Sequence, residues 1–151
     1  MRADGFTLIE VLVVIMIMGV VMVSSSIALG NGDNSRMRRS VEELLLEANY
    51  LSQKSVLSSK SYSVTISALG IDLWVYEDGG WVPFSEEGLP HHRSWPLEGV
   101  KVSGSLSHGG RVSLFFFPDG MGFPADLVIR SPVSNYHLTS DFMGNVTVNR
   151  E

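Results

Sequence analysis

Gly5-Phe6-Thr7-Leu8-Ile9-Glu10-Val11-Leu12-Val13-Val14-Ile15, near the start of a 151-residue chain, decides how the rest is read. From Phe6 to Leu29 there are 24 residues with one charge, Glu10, and no proline. As a helix such a run is about 36 Å long at roughly 1.5 Å per residue, against a hydrocarbon core of about 30 Å. A single transmembrane helix over 6–29 is therefore expected. Glu10 is the exception inside it: a charge within a spanning segment costs on the order of 3 kcal/mol by insertion scales and calls for a partner. A cut between Gly5 and Phe6 would leave a free amine four residues before Glu10. In an array of such helices, Glu10 of one copy can neutralise the Phe6 ammonium of a neighbour, because opposite charges attract strongly at low dielectric. The pattern points to a subunit that assembles.

Two simpler readings explain less. An ordinary secretory signal would be cut at a small-x-small site after its apolar core, for which Ser24-Ser25-Ser26 and Ala28 would have to serve, and Glu10 would then have no role. A plain single-pass anchor leaves Glu10 equally idle. The basic residues Arg36, Arg38 and Arg39 follow the apolar run while only Arg2 precedes it. Taken alone, this bias would place the C-terminal part in the cytoplasm; the specific cleavage pattern outranks it.

Beyond Leu29 some 120 residues remain, enough for one domain with a modest core. That part carries ten Lys/Arg and fourteen Asp/Glu, a net −4 within the chain's −5. Such a balance does not suggest a phosphate-binding surface, which is normally a dense basic patch, so no nucleic-acid partner is expected. There is no cysteine, hence no disulfide staple.

Gly30-Asn31-Gly32-Asp33-Asn34-Ser35 is rich in residues that favour caps and turns, and a linker over 30–39 is expected to interrupt the helix. Ser40-Val41-Glu42-Glu43 then resembles a capping box. It would open an amphipathic helix over 40–60 whose stripe of Val41, Leu44, Leu45, Ala48, Leu51 and Ser52 faces a sheet while Glu42, Glu43, Glu47 and Gln53 face water. From Ser61 the apolar period changes to two. Tyr62, Val64, Ile66 and Ala68 form one strand, and residues 71–84 form a hairpin about Asp78-Gly79-Gly80. Pro83 cannot donate to a ladder and so belongs at an edge or a strand end. Residues 85–96 read as an exposed loop, with Trp95 plugging the end of the core. Residues 99–106 are expected to pair across Ser107-His108-Gly109-Gly110 with 111–117, followed by strands at 126–130, 136–139 and 142–148, the last containing a Gly144-Asn145 turn. One helix and about seven short strands give an α+β fold, with a mostly antiparallel sheet covered by the helix on one face. The resulting division is 1–5 leader, 6–29 transmembrane and assembly helix, 30–39 linker, 40–60 helix of the head, and 61–151 β-rich head.

Catalytic patterns are missing: no Gly-x-Ser-x-Gly elbow, phosphate-binding loop or His-Glu-x-x-His is present. The adjacent His91 and His92 lack the spacing of a metal site. Asp119, Asp126 and Asp141 are read as solvated turn residues rather than a calcium cluster. We expect no catalysis, no cofactor and no metal, although the N-terminus is itself a substrate.

Gly5-Phe6-Thr7-Leu8-Ile9-Glu10-Val11, after a short leader and before an apolar run, resembles the class III signal of type IV pilins and type II secretion pseudopilins. Phe115-Phe116-Phe117-Pro118-Asp119-Gly120, with the late Gly144-Asn145-Val146-Thr147-Val148, looks like the head of the H-type pseudopilins and the related FimT/FimU-type minor pilins. Residues 102–110 and Trp95-Pro96-Leu97 are more like the H-type subunits. The resemblance implies a type IV pilin-like fold, with Gly5 read by a prepilin peptidase/methyltransferase, Phe6 N-methylated after leader cleavage, and Glu10 serving registration during assembly. It implies a single-pass protein of the bacterial inner membrane with its C-terminal domain in the periplasm, incorporated at or near the tip of a pseudopilus that supports export of folded proteins across the outer membrane. Its implied partners are the major pseudopilin and the other minor pseudopilins of the tip complex, with secreted cargo or the outer-membrane secretin beyond them. The alternative within the same resemblance is a FimT/FimU-type minor pilin acting in pilus assembly or DNA uptake. Two departures stand out: Asp4 adjoins the cut beside a lone basic leader residue, Arg2, and Ile27 occupies the place of a proline in many major pilins, which implies no kink there.

Overall fold

The computed structural model of the chain describes residues 8–105 and 107–150, and within them the side chains outside 19–31. One helix, α1 (Leu8–Ser58), is followed among the described residues by ten strands: β1 (Tyr62–Ile66), β2 (Gly70–Glu77), β3 (Gly80–Pro83), β4 (His92–Ser94), β5 (Lys101–Gly104), β6 (Ser107–His108), β7 (Arg111–Phe116), β8 (Ala125–Arg130), β9 (Asn135–Ser140) and β10 (Val146–Arg150). Every pairing is antiparallel. The strands form two sheets. The first runs β3-β2-β1-β7-β6, with β4 also paired to β2; the second runs β10-β9-β8-β5.

The expected interruption at 30–35 does not occur, and α1 continues through it. Glycine and asparagine each disfavour a helix interior by up to about 1 kcal/mol, but propagation from helix already formed on both sides is far easier than a new nucleation. Local contacts help: Arg36 pairs with Asp33 one turn earlier at 3.8 Å, and Asn34 Oδ1 accepts from Ser134 Oγ of the head at 3.0 Å. Ser40 is accordingly mid-helix, and the capping box is not one.

The C-terminal part of α1 buries Met37, Val41, Leu44, Ala48, Leu51 and Ser55. Their alternating spacing of four and three makes one stripe down the helix. It lies on both sheets, meeting the inner side chains of β1 (Tyr62, Val64, Ile66) and β7 (Val112, Leu114, Phe116), and the Leu127, Ile129, Tyr136, Leu138 and Val146 set of the second sheet. Fully burying a leucine such as Leu44 or Leu51 contributes about 2 kcal/mol.

Turn chemistry fixes the register of the first sheet. Asp78 and Gly79 both have positive φ, 49° and 87°, as a two-residue type I′ hairpin requires, and Glu77 pairs with Gly80 across it. Pro83 is the last residue of β3, which lies at the sheet's edge, where its missing N–H leaves no gap in the ladder.

Two strand expectations are corrected. Of the expected arm 99–106, Leu106 lies outside the described residues and the others do not pair with 111–117: among the described residues of this hairpin only Ser107 and His108 do, across Gly109-Gly110, while β5 crosses to the second sheet and pairs with β8. Gly104 makes that crossing possible, since a Cβ there would collide with Asp126 O and Leu127. Residues 142–144 belong to a turn rather than a strand. Asp141 Oδ1 accepts the N–H groups of Met143 and Asn145, both at 2.9 Å, and β10 begins at Val146. The 85–96 loop also contains strand β4 and a Glu86–Leu89 bridge.

Candidate functional site

Between Leu8 and Met18 the helix is apolar on every side, and its ten apolar residues are between 44% and 85% exposed. A helix apolar all round requires an apolar surrounding, whether lipid or other helices. Glu10 is the one charge in this stretch and is also exposed. Among the described residues, no cation of the chain pairs with it. Gly5 and Phe6 lie outside the described residues, as do the side chains of 19–31. Among the residues described, no helix is long and apolar enough to cross a membrane.

The head fixes this helix through one side chain whose role the sequence conceals. Arg93 on β4 donates Nε to Glu47 Oε1 at 3.1 Å and Nη2 to Glu47 Oε2 at 3.0 Å. Its Nη1 reaches Ser40 Oγ at 2.7 Å and Glu43 Oε2 at 3.2 Å, and both Nη groups reach Ser40 O at 3.3 Å. The planar fork of a guanidinium suits this bidentate geometry. Glu47, expected to face water, is thus drawn against the head, while Glu43 is exposed as expected even as it pairs with Arg93, and Glu42 is exposed and pairs with Arg38 at 3.5 Å. Gln53 is exposed as expected. The only sequence signal for the clamp was a lone arginine in a segment that reads as loop.

A second tie joins the helix to the 86–89 bridge. Lys54 Nζ lies 2.6 Å from Glu86 Oε1, and Tyr50 Oη is 2.9 Å from Glu86 Oε2. The ammonium of Lys54, then the Tyr50 hydroxyl, holds the Glu86 carboxyl below its ordinary range. The same pairing pushes the Lys54 ammonium up.

The candidate metal residues are dispersed. His91 Nδ1 lies 2.6 Å from Leu73 O, and His92 Nδ1 lies 2.6 Å from Asp72 Oδ1. Asp119 Oδ1 accepts from Met121 N in its own turn, Asp126 accepts from His137, and Asp141 holds its own turn. No group of three or more ligating side chains gathers among the described residues. Trp95 is buried, with Nε1 donating to Ser67 O at 2.8 Å, and closes the core end as expected.

A long helix, bare and apolar at its N-terminal end and clamped at the other to a two-sheet antiparallel head, defines the pilin-like class. Residues 1–26 match the prokaryotic N-terminal methylation motif. Among solved structures, the chain is similar to the minor pseudopilin EpsH from the type 2 secretion system of Vibrio cholerae. One structure gives 17% identity and a TM-score of 0.62, covering 76% of this chain and 97% of that one; another gives 16% and 0.60, covering 76% and 93%. It is also similar to the type IV minor pilin FimU of Pseudomonas aeruginosa, at 13% identity and a TM-score of 0.58, covering 77% of this chain and 90% of that one. No curated protein matches the chain by sequence. At these identities the likeness establishes the fold, an N-terminal helix followed by an antiparallel β head.

Proposed function

We propose that this chain is an H-type minor pseudopilin of a type II secretion system. It is anchored in the bacterial inner membrane with its head in the periplasm, and it acts as a structural subunit without catalysis of its own. The observation that carries the reading is Glu10: one carboxylate, unpaired among the described residues, on a stretch of α1, Leu8 to Met18, whose apolar side chains are all exposed. A prepilin peptidase removes residues 1–5 after Gly5 and methylates the new amine of Phe6. Glu10 then meets the corresponding amine of a neighbouring subunit, where low dielectric strengthens the pair, and the apolar helix packs into the filament core. The head presents partner-specific surfaces to the major and other minor pseudopilins at the tip, and through them to cargo or the secretin.

The pseudopilin reading is supported by the somewhat higher TM-scores to EpsH than to FimU. A FimU-like minor pilin of a type IV pilus is the second reading, favoured by that second likeness. Intact mass of the membrane-extracted protein, made with and without a prepilin peptidase, tests the shared step. The expected result is loss of Met1–Gly5 and gain of one methyl group only when the peptidase is present. A full-length mass, or a cut near Ala28, would remove both readings. Deletion in the source organism then separates them: loss of extracellular enzyme export supports the first, and loss of surface pili with export intact supports the second.

A further inference from the structure

The first sheet has a second face, turned away from α1, and it is not flat. Ser63 on β1 stands between Trp74 of β2 and Phe115 of β7 in one cross-strand row. The next outward position on β1 is Thr65, opposite Ser113. Small side chains on the central strand between large rings on its neighbours leave a trough. Trp81 of β3 reaches over it, its ring centroid 5.6 Å from that of Phe115. The trough is a shallow depression of about 230 Å³, open to solvent and lined by these six residues, none of them charged.

Its polar groups are incompletely used. Ser63 is largely covered, but its hydroxyl opens onto the trough and has no partner among the described residues. The indole N–H groups of Trp74 and Trp81 likewise have none, whereas that of Trp95 is bonded to Ser67 O. Thr65 and Ser113 hydroxyls bond each other at 3.0 Å, and each keeps spare accepting capacity. An apolar pocket with a few convergent polar groups is the usual form of a small-molecule site.

We propose that this trough binds a neutral saccharide, with the apolar face of a pyranose ring on the indole rings and its hydroxyls on Ser63 and the two indole N–H groups. The absence of charge excludes phosphate and carboxylate ligands as the matched class. An extended peptide would need backbone donors and acceptors, and on a sheet face those are already committed to the ladder. A pyranose ring supplies what the trough lacks: a flat C–H face for aromatic surfaces and hydroxyls at its rim. The inference is independent of which secretion or pilus machine the subunit serves.

The test uses the full chain in a phosphocholine detergent, which carries no sugar, with 15N-labelled tryptophan and titration by maltotriose and by triacetylchitotriose. The expected result is saturable movement of the Trp74 and Trp81 indole signals by at least one of the sugars, with Trp95 unmoved as the internal control. Trp81→Ala, on an edge strand, should raise Kd about tenfold. Ser63→Ala, which keeps the fold and removes one hydroxyl, should raise it about fivefold. Failure of both sugars to give saturable shifts overturns the proposal, as does binding that Ser63→Ala and any folded Trp81→Ala protein leave unchanged. Saturation of the same signals by a proline-rich peptide but by neither sugar would also overturn it, assigning the trough to a protein partner.

Discussion

Glu10, on the exposed apolar turns of α1, and Arg93, which ties the head to that helix, differ in how visible they are. Glu10 is conspicuous in the sequence because it is the one charge in 24 residues. On the proposed reading, replacing it by alanine removes the one charge between Phe6 and Leu29 and with it the group that registers one helix against another. Glu10→Ala is expected to partition into membranes at least as well as the parent, with an unchanged head, while its recovery in crosslinked or sheared filaments falls by about tenfold or more, the equivalent of about 1.4 kcal/mol. Membrane fractionation and filament blots read the two effects separately, and unchanged incorporation would overturn the registration role. Arg93 is hidden in the sequence: nothing in His91-His92-Arg93 shows that 93 will meet residues 40, 43 and 47, because that contact is made by strand pairing and not by spacing. Its side chain is 20% exposed against three polar partners. Arg93→Ala strands Glu47, itself 13% exposed, and should cost about 2 kcal/mol, or roughly a 6–10 °C fall in Tm for a head of this size. Arg93→Lys keeps the charge but loses the bidentate fork, so its Tm should lie between the two.

At the scale of elements, the sequence conveys what is local and misplaces what is long-range. The hairpin at Asp78-Gly79, the terminal Pro83 and the stripe on α1 were legible because period, turn chemistry and ring constraint act within a few residues. The crossing of β5 into the second sheet was not, since nothing local distinguishes a glycine that ends a hairpin arm from one that lets a strand pass against Asp126 and Leu127. The helix through Gly30–Ser35 was misread for the opposite reason: local propensity says break, and the docked turns on the head side carry the helix through. The tie between α1 and the 86–89 bridge has a pH signature. Because the Glu86 pKa is lower in the folded state than its ordinary value of 4.5, the unfolded chain binds more protons in that range, and stability rises with pH there. The contribution is complete above that ordinary value and is lost as pH falls through the depressed one. Glu86→Gln should therefore lower Tm at neutral pH by a small, salt-sensitive amount, since the carboxylate side chain is still 35% exposed. It should also flatten the decline of Tm between about pH 5 and pH 3. Scanning calorimetry across that range checks both, and an acid limb identical to the parent's would show the tie to be idle.

For the whole molecule, the distribution of contacts divides stability from assembly. Among the described side chains the core begins at Met37, and the first hydrogen bond from α1 to the head is made by Asn34. Between Leu8 and Met18 every apolar side chain is exposed, so that stretch lends the head no packing. Since most helical stability comes from a packed face and not from propensity, the docked turns from Met37 onward hold the head together, and the N-terminal turns await an environment supplied by lipid or neighbours. A chain beginning at Gly32 retains Asn34, the Arg93 clamp and the buried stripe from Met37 to Ser55. It is expected to fold with the Tm of the full chain and to remain monomeric without detergent, having shed the exposed apolar helix that drives association. The full-length chain should instead require detergent or membrane and should self-associate when detergent is diluted. Calorimetry and sedimentation on the two chains measure the two halves of the expectation independently. A substantial loss of Tm on truncation would mean that the N-terminal turns do pack on the head, and association of the truncated chain would place the assembly contacts on the β surfaces instead of on the helix that carries Glu10.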